Sequence, residues 1–181
     1  GISASSYASN TNTRLYTPNY NLSAAGSYTL SFYKKNAFES GWDGFRVEYS
    51  LDKGDNWSIL GAVSAGWYDF ANTTQTTSFP INEPYFNLTS ASFALKSIDI
   101  SFLAGNPNVA FRFVFKSDGS VNSAGVAIDD FQISGTSNDP LPVQYLNFSG
   151  IAEEASNLLS WSTASESNNA GFEIERSVSG F

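Results

Sequence analysis

The stretch FRVEYS, residues Phe45 to Ser50, alternates apolar and polar side chains along its whole length. In an extended chain, successive side chains point to opposite faces. The two sets therefore separate, with Phe45, Val47 and Tyr49 on one face and Arg46, Glu48 and Ser50 on the other. This pattern predicts a β-strand that turns one face to a core and the other to solvent.

Similar short stretches run along the rest of the chain, separated by Gly, Asn, Asp, Ser and Pro. They are YTLSFYKK from Tyr28, KSIDISFL from Lys96, VAFRFVFKSDG from Val109, GVAIDDFQI from Gly125, NLLSWS from Asn157 and GFEIERS from Gly171. No stretch shows the apolar periodicity of an amphipathic helix. Because short strands must pair into sheets that each bury one face, we expect an all-β sandwich.

A proline-containing segment divides the chain. In SGTSNDPLPV, residues 134–143, small polar residues precede Pro140 and Pro142, and proline cannot donate a hydrogen bond to a sheet. We predict one β-sandwich over residues 1–137, a linker over residues 138–143 and part of a second β domain over residues 144–181. This last part contains fewer predicted strands than a complete sandwich, so we expect the second domain to be incomplete.

The amino-acid composition excludes several classes of function. The sequence has no cysteine and no histidine, which removes disulfides, thiolate nucleophiles and the commonest zinc ligand. Acidic residues outnumber basic ones by 17 to 9, and a chain with a net charge of -8 is not expected to bind nucleic acid. No apolar run reaches the roughly 20 residues of a transmembrane helix, so we expect no membrane-spanning segment. Because methionine is also absent, we expect a piece of a longer protein.

Two parts of the chain resemble known domain families. Residues 14–61 together with NVAFRFVFKSDGSVNSAGVAIDDFQI, residues 108–133, resemble the MAM-like jelly-roll domains of secreted bacterial metallopeptidases and adhesins. The segment LPVQYLNFSGIAEEASNLLSWSTASESNNAGFEIERS, residues 141–177, is similar to the fibronectin type III-like module that often precedes the sorting signal in cargo of the type IX secretion system of Bacteroidetes.

These resemblances imply a jelly-roll β-sandwich followed by an incomplete immunoglobulin- or fibronectin III-like β module. They also imply a secreted or cell-surface protein, with secretion or surface-anchoring proteins among its partners. Jelly-roll domains host many functions, so the resemblance implies no particular activity.

The segment SLDKGDNWSIL, Ser50 to Leu60, has the Ser-x-Asp-x-Gly-x-x-Trp spacing of the Asp-box, a β-hairpin turn best known from sialidases. Sialidases are β-propellers in which the turn recurs from blade to blade, whereas this sequence contains one copy. We therefore predict a structural turn. Asp52 would accept backbone N–H bonds, Gly54 would shape the turn and Trp57 would pack beneath the hairpin.

Two acidic stretches are candidates for a metal site. NAFESGWDGF places Glu39 and Asp43 in a glycine-rich loop, and AIDDF places Asp129 and Asp130 beside a strand. Carboxylate oxygens are the ligands of hard ions, so one interpretation is a Ca2+ ion that joins the two stretches. The resemblance supports it, because such ions occur in jelly-roll domains. The other interpretation is an N–H-accepting aspartate at a strand end, with the remaining acids exposed.

Three aromatic residues in glycine-flanked stretches are candidates for ligand binding. Trp42 lies in SGWDGF, and Trp67 and Tyr68 lie in AGWYDF. Flat rings on a rigid sandwich can stack on the pyranose rings of a glycan. The alternative is that these residues pack in the core or in an interface.

For the function, we expect a non-catalytic binding or adhesion module of a larger secreted cell-surface protein exported by the type IX secretion system, with a glycan or another surface ligand as partner. The alternatives are a carbohydrate-binding accessory module of a secreted hydrolase or peptidase, and a purely structural spacer. An enzyme is not expected. Neighbouring carboxylates such as Asp129 and Asp130 face opposite sides of a regular strand, and no histidine can serve as a base.

Overall fold

The computed structural model describes residues 6–137, 145–152 and 157–163. The chain divides into two compact units, Gly1–Ser137 and Asn138–Phe181. The predicted linker, residues 138–143, and the predicted strand GFEIERS lie outside the described residues. Among the described residues, no helix has the length and apolar character needed to cross a membrane.

Nearly all regular structure in the described part of the first unit is β. The strands are β1 (Asn12–Tyr16), β2 (Tyr20–Leu22), β3 (Gly26–Ala37), β4 (Gly44–Ser50), β5 (Ser58–Ile59), β6 (Phe70–Ala71), β7 (Pro84–Tyr85), β8 (Ser90–Asp99), β9 (Asn106–Lys116) and β10 (Gly125–Ser137). The strand predicted over KSIDISFL ends at Asp99. The Asp99 carboxylate accepts a hydrogen bond from the Ser101 N–H at 2.7 Å, and a 3₁₀ turn over Ser101–Leu103 follows.

Two antiparallel sheets form a sandwich. In the first, β1, β9, β4 and β5 lie side by side and β2 also pairs with β9; in the second, the order is β10, β3, β8. β6 and β7 form a separate two-stranded ribbon. The core contains residues of both sheets, such as Phe32 from β3 and Phe45 and Phe113 from β4 and β9. The prediction of an all-β sandwich is confirmed.

The outer face of the first sheet is covered over β4 and β9, although the alternation in FRVEYS predicts that it faces solvent. Glu48 on this face is only 3% exposed. It accepts hydrogen bonds from Arg46 Nε at 2.7 Å and from Arg112 Nε at 2.6 Å. Phe79, in the connection from β6 to β7, packs with Val114 of β9 over this face. A period of two residues identifies which side chains share a face, but not what covers that face.

The described part of the second unit is an antiparallel hairpin. Its strands are β11 (Tyr145–Ala152) and β12 (Asn157–Thr163), and Phe148 pairs with Trp161 across them. β12 contains the predicted stretch NLLSWS.

Candidate metal centre

The loop between β3 and β4, residues 38–43, forms a tight turn that carries two of the predicted metal ligands. The carbonyl oxygen of Glu39 accepts hydrogen bonds from the N–H groups of Trp42 and Asp43, at 3.3 and 3.2 Å. Gly41 has a φ of 81°, a conformation that residues with a Cβ rarely adopt. The turn leaves carboxylate oxygens of Glu39 and Asp43 within 4.8 Å of each other.

Asn87, a buried residue, holds this loop in place. Its Nδ2 donates to the carbonyl oxygens of Glu39 at 2.9 Å and Asp43 at 2.7 Å, and its Oδ1 accepts from the Gly41 N–H at 2.9 Å. Because these bonds fix the loop backbone, the two carboxylates are preorganised by the protein itself.

A third carboxylate reaches the loop from the segment after β9. One oxygen each of Glu39, Asp43 and Asp118 lie within 4.8 Å of one another. The N–H of Asp118 also donates to Asp43 Oδ1 at 2.7 Å, although the two residues are 75 positions apart. Asp118 is missing from the sequence-based prediction, and its local signal is only a Ser-Asp-Gly turn after a strand.

Tyr7 connects the segment before β1 to the same place. Its hydroxyl donates to Asp43 Oδ2 at 2.7 Å and accepts from the Glu39 N–H at 3.2 Å. Burial, followed by the hydrogen bond to Asp43, raises the pKa of Tyr7 to about 12. The phenol therefore stays protonated near neutral pH and keeps donating to Asp43.

The three carboxylates bring like charges together in a partly buried space. Asp43 is completely buried, and this burial raises its pKa. Burial, then the charges of Asp118 and Asp43, raise the pKa of Glu39. Glu39 Oε2 is itself buried and has no hydrogen-bond partner within the described residues. A buried carboxylate oxygen without a partner, placed among like charges, is costly unless a cation compensates it.

The donor set fits a hard divalent cation. Glu39, Asp43 and Asp118 offer only oxygen ligands, which Ca2+ prefers, and the sequence lacks the imidazole and thiolate that transition metals prefer. Ca2+ takes about six to eight oxygens, so backbone carbonyls or water would complete its coordination. We call Glu39, Asp43 and Asp118 the candidate metal centre.

Asp129 and Asp130 are not part of this centre, which corrects the prediction that they share an ion with Glu39 and Asp43. Within residues 6–137, the cluster that could hold a metal includes neither of them. Both side chains are exposed. The N–H of Asp130 donates to Asp129 Oδ1 at 2.9 Å, so part of the pair is engaged in its own local turn.

A β-bulge explains the position of these two aspartates. The register of β10 with β3 shifts between Asp129 and Gln132, and Asp130 has a φ of 49°. Ile128 before the pair and Phe131 after it both pack against the core. Asp129 and Asp130 are therefore both left on the outer side, whereas a regular strand would place them on opposite faces.

Trp67 and Tyr68 are core residues, which corrects the prediction that they form a ligand platform. They are 4% and 2% exposed. The Tyr68 hydroxyl donates to the carbonyl oxygen of Val47 at 2.9 Å, and Trp67 packs edge-on against Phe32. The alternative of core packing therefore applies to both. The third residue of the set, Trp42, is half-buried in the β3–β4 loop.

The turn between β4 and β5 contains the hydrogen bonds that the Asp-box spacing predicts. Asp52 Oδ1 accepts from the Asn56 N–H at 2.9 Å and from the Ser50 hydroxyl at 2.6 Å. These bonds, with the Asn56 N–H first, lower the pKa of Asp52 to about 2. Gly54 has a φ of 103°, and its carbonyl oxygen accepts from Trp57 Nε1 at 2.8 Å. Each of these residues therefore has a local structural role.

No family model matches the chain, and no curated protein matches it. The resemblances to MAM-like and fibronectin III-like domains therefore stay predictions. The candidate metal centre is the chemical feature from which a function can be inferred.

Proposed function

We propose that the first unit is a non-catalytic, calcium-stabilised binding module of a larger secreted cell-surface protein. The observation that carries this proposal is the candidate metal centre, in which a buried oxygen of Glu39 lacks a hydrogen-bond partner beside two further carboxylates. Ca2+ would compensate these charges. Extracellular calcium modules bind the ion with dissociation constants on the order of 10⁻⁴ to 10⁻³ M, which suits the setting implied by the resemblance.

The ion would act by joining distant segments of the sandwich. Glu39 and Asp43 come from the β3–β4 loop and Asp118 from the segment after β9. Tyr7 and Asn87 are positioning residues, because they bond to Asp43 and to the loop backbone. A bound ion would therefore hold the loops at one end of the sandwich against one another.

The chemistry of the site favours a structural ion over a reaction centre. Both oxygens of Asp43 already accept hydrogen bonds, one from the Tyr7 hydroxyl and one from the Asp118 N–H. A carboxylate held in this way is poorly suited to exchange protons with a substrate. We therefore propose adhesion to a glycan or another surface ligand as the role of the module, and export by the type IX secretion system as its route.

Thermal unfolding of the chain with and without Ca2+ tests the proposal. The protein is first stripped with a chelator, and its melting temperature is then measured over a calcium series. At about 100 times the dissociation constant, binding to the folded state adds roughly 2.7 kcal/mol to the free energy of unfolding. For a unit of this size we expect a rise of about 5 °C or more.

Two matched variants assign the effect to the candidate metal centre. Asp118→Asn removes one ligand charge and keeps the N–H that donates to Asp43. Asp129→Asn removes the same charge at an exposed position. We expect the calcium response to be lost in the first variant and kept in the second. A wild-type chain without a calcium response, or an Asp118→Asn chain with the full response, contradicts the proposal.

A further inference from the structure

The outer face of the second sheet carries an open groove of about 640 Å³. It is lined by residues of all three strands, among them Thr29, Ser31, Tyr33, Leu95, Asp130 and Gln132. Its volume lies within the range of roughly 300 to 1,000 Å³ that is usual for ligand sites. The face therefore offers space for a ligand at a place that neither the core nor the candidate metal centre uses.

Small side chains form the floor of this groove. Ser31 in the central strand β3 pairs with Gln132 of β10 on one side and with Ser97 of β8 on the other. Directly paired residues lie on the same face of a sheet. A row of short polar side chains thus crosses the three strands, with the longer Gln132 at one end.

The next row of paired residues along β3 has larger side chains and is partly apolar. Tyr33 pairs with Leu95 of β8 and with Asp129 of β10. Tyr33 is 38% exposed and Leu95 is 55% exposed. The phenol ring therefore borders a floor of hydroxyl groups and remains accessible.

The polar side chains of this groove are free to bind a ligand. Within residues 6–137, the side chains of Ser31, Tyr33, Ser97 and Gln132 make no hydrogen bond to another protein group. The outer face of the first sheet is different, since Glu48 there is bonded to two arginines. The donors and acceptors of the open face are therefore available to a ligand that displaces water.

Charge restricts the chemistry of that ligand. The bulge places the carboxylates of Asp129 and Asp130 side by side on this face. Ionised carboxylates only accept hydrogen bonds and repel other anions. A ligand that offers many hydroxyl donors, carries no negative charge and presents an apolar side to the Tyr33 ring would fit these groups.

We propose that this face binds a neutral oligosaccharide. Sugar hydroxyls donate to Asp130 and exchange hydrogen bonds with Ser31 and Gln132, while the C–H side of a pyranose ring stacks on Tyr33. The inference rests on the proposed binding role of the module, and it assigns that role a surface and a ligand class. In this proposal the aromatic contact with the ligand is made by the accessible Tyr33, because Trp67 and Tyr68 are buried.

A glycan array with neutral and acidic oligosaccharides tests this assignment. The labelled chain is applied in the presence of Ca2+, and we expect it to bind neutral glycans and to bind no sialylated, sulfated or uronate glycan. Tyr33→Ala should weaken binding to the selected neutral glycan by about tenfold or more, through loss of the ring contact. Gln132→Ala should weaken it in the same direction.

Tyr16→Ala is the matched control, because Tyr16 is 56% exposed on β1 of the other sheet. It should bind as the wild type does, and all variants should remain folded at the assay temperature. Absence of binding to any neutral glycan, preference for acidic glycans, or full binding by Tyr33→Ala overturns the inference. A calcium response without glycan binding overturns only this inference, whereas glycan binding without a calcium response overturns only the metal centre.

Discussion

Glu39 and Asp43 lie in a loop that is hydrogen-bonded from several sides, whereas Asp129 and Asp130 stand on an exposed bulge of β10. Asp118 joins the first pair through the fold, and one oxygen of Glu39 is buried without a partner. Water can reach both members of the second pair. The two pairs look alike in the sequence, and their surroundings give them different chemistry.

The difference shows what an ion site requires. Exposed carboxylates are hydrated, so they gain little from a cation and lose little without one. Buried carboxylates that converge from separate segments repel one another and lack hydration, so a cation stabilises them strongly. Burial and convergence, more than the number of acids in a stretch, distinguish the candidate metal centre from the bulge.

The largest loss of stability is expected from substitution of Asp43. Asp43→Ala leaves the Tyr7 hydroxyl and the Asp118 N–H without their acceptor in a buried place. Orphaned buried donors and the small cavity should lower the free energy of unfolding by about 3 kcal/mol. Chemical denaturation measures this loss. It should persist in the chelator, and a loss seen only with Ca2+ would mean that these hydrogen bonds contribute little.

Glu39→Gln, in contrast, should stabilise the metal-free protein. The neutral amide removes a charge from the cluster and can donate to a neighbouring carboxylate. We expect the melting temperature in the chelator to rise by about 2 °C, and the response to Ca2+ to disappear. Glu83→Gln is the control: it breaks an ion pair with Arg46 and should lower the melting temperature. A lower melting temperature for Glu39→Gln in the chelator would contradict the inferred repulsion among the three carboxylates of the candidate metal centre.

The metal-free protein should gain stability as the pH falls from neutral. Burial raises the pKa values of Asp43 and Glu39 in the folded state. Between the ordinary and the raised pKa values, the folded state therefore binds more protons than the unfolded state. The free energy of unfolding then rises as the pH falls through the raised values, and the gain is complete below the ordinary values. Ca2+ binds the ionised carboxylates, so it should reduce this gain in stability at low pH.

Melting temperatures at pH 7 and pH 5 in a chelator check this dependence. The wild type is compared with a Glu39→Gln, Asp118→Asn double variant, so that the titration of other groups cancels. The wild type should gain more on acidification than the double variant. Equal changes in both chains would show that the cluster does not titrate as its burial requires.

The smallest effect is expected at the bulge. Asp129→Asn combined with Asp130→Asn should change the free energy of unfolding by less than about 0.5 kcal/mol, because both side chains are exposed. The calcium response should be unchanged, and binding to neutral glycans should fall. A lost calcium response in this variant would restore the original prediction that the bulge holds the ion.

The strands could be predicted where apolar and polar side chains alternate and the apolar set packs in the core. FRVEYS and VAFRFVFK form β4 and β9, and their inward residues Phe45 and Phe113 are buried. The outer face of β4 could not be predicted, because Glu48 is bonded to Arg112 of β9 and Phe79 from the distant β6–β7 connection packs over the same face. The connection from β6 to β7 has no alternation of its own, and its position depends on long-range packing.

The candidate metal centre could be predicted only in part. The glycine-rich loop indicates Glu39 and Asp43, but Asp118 is 75 positions away from Asp43 and has an ordinary turn sequence. The bulge at Asp130 could not be predicted either, because nothing in the local sequence indicates that this aspartate adopts a φ of 49°. Local patterns identify the residue types, while register and convergence are properties of the fold.

Calorimetric titration with Ca2+ tests most directly whether Glu39, Asp43 and Asp118 hold an ion. The chelator-stripped chain should bind one Ca2+ with a dissociation constant on the order of 10⁻³ M or tighter, and Asp118→Asn should give no binding heat. Absence of heat from the wild type, or the same titration curve for Asp118→Asn, would contradict the account.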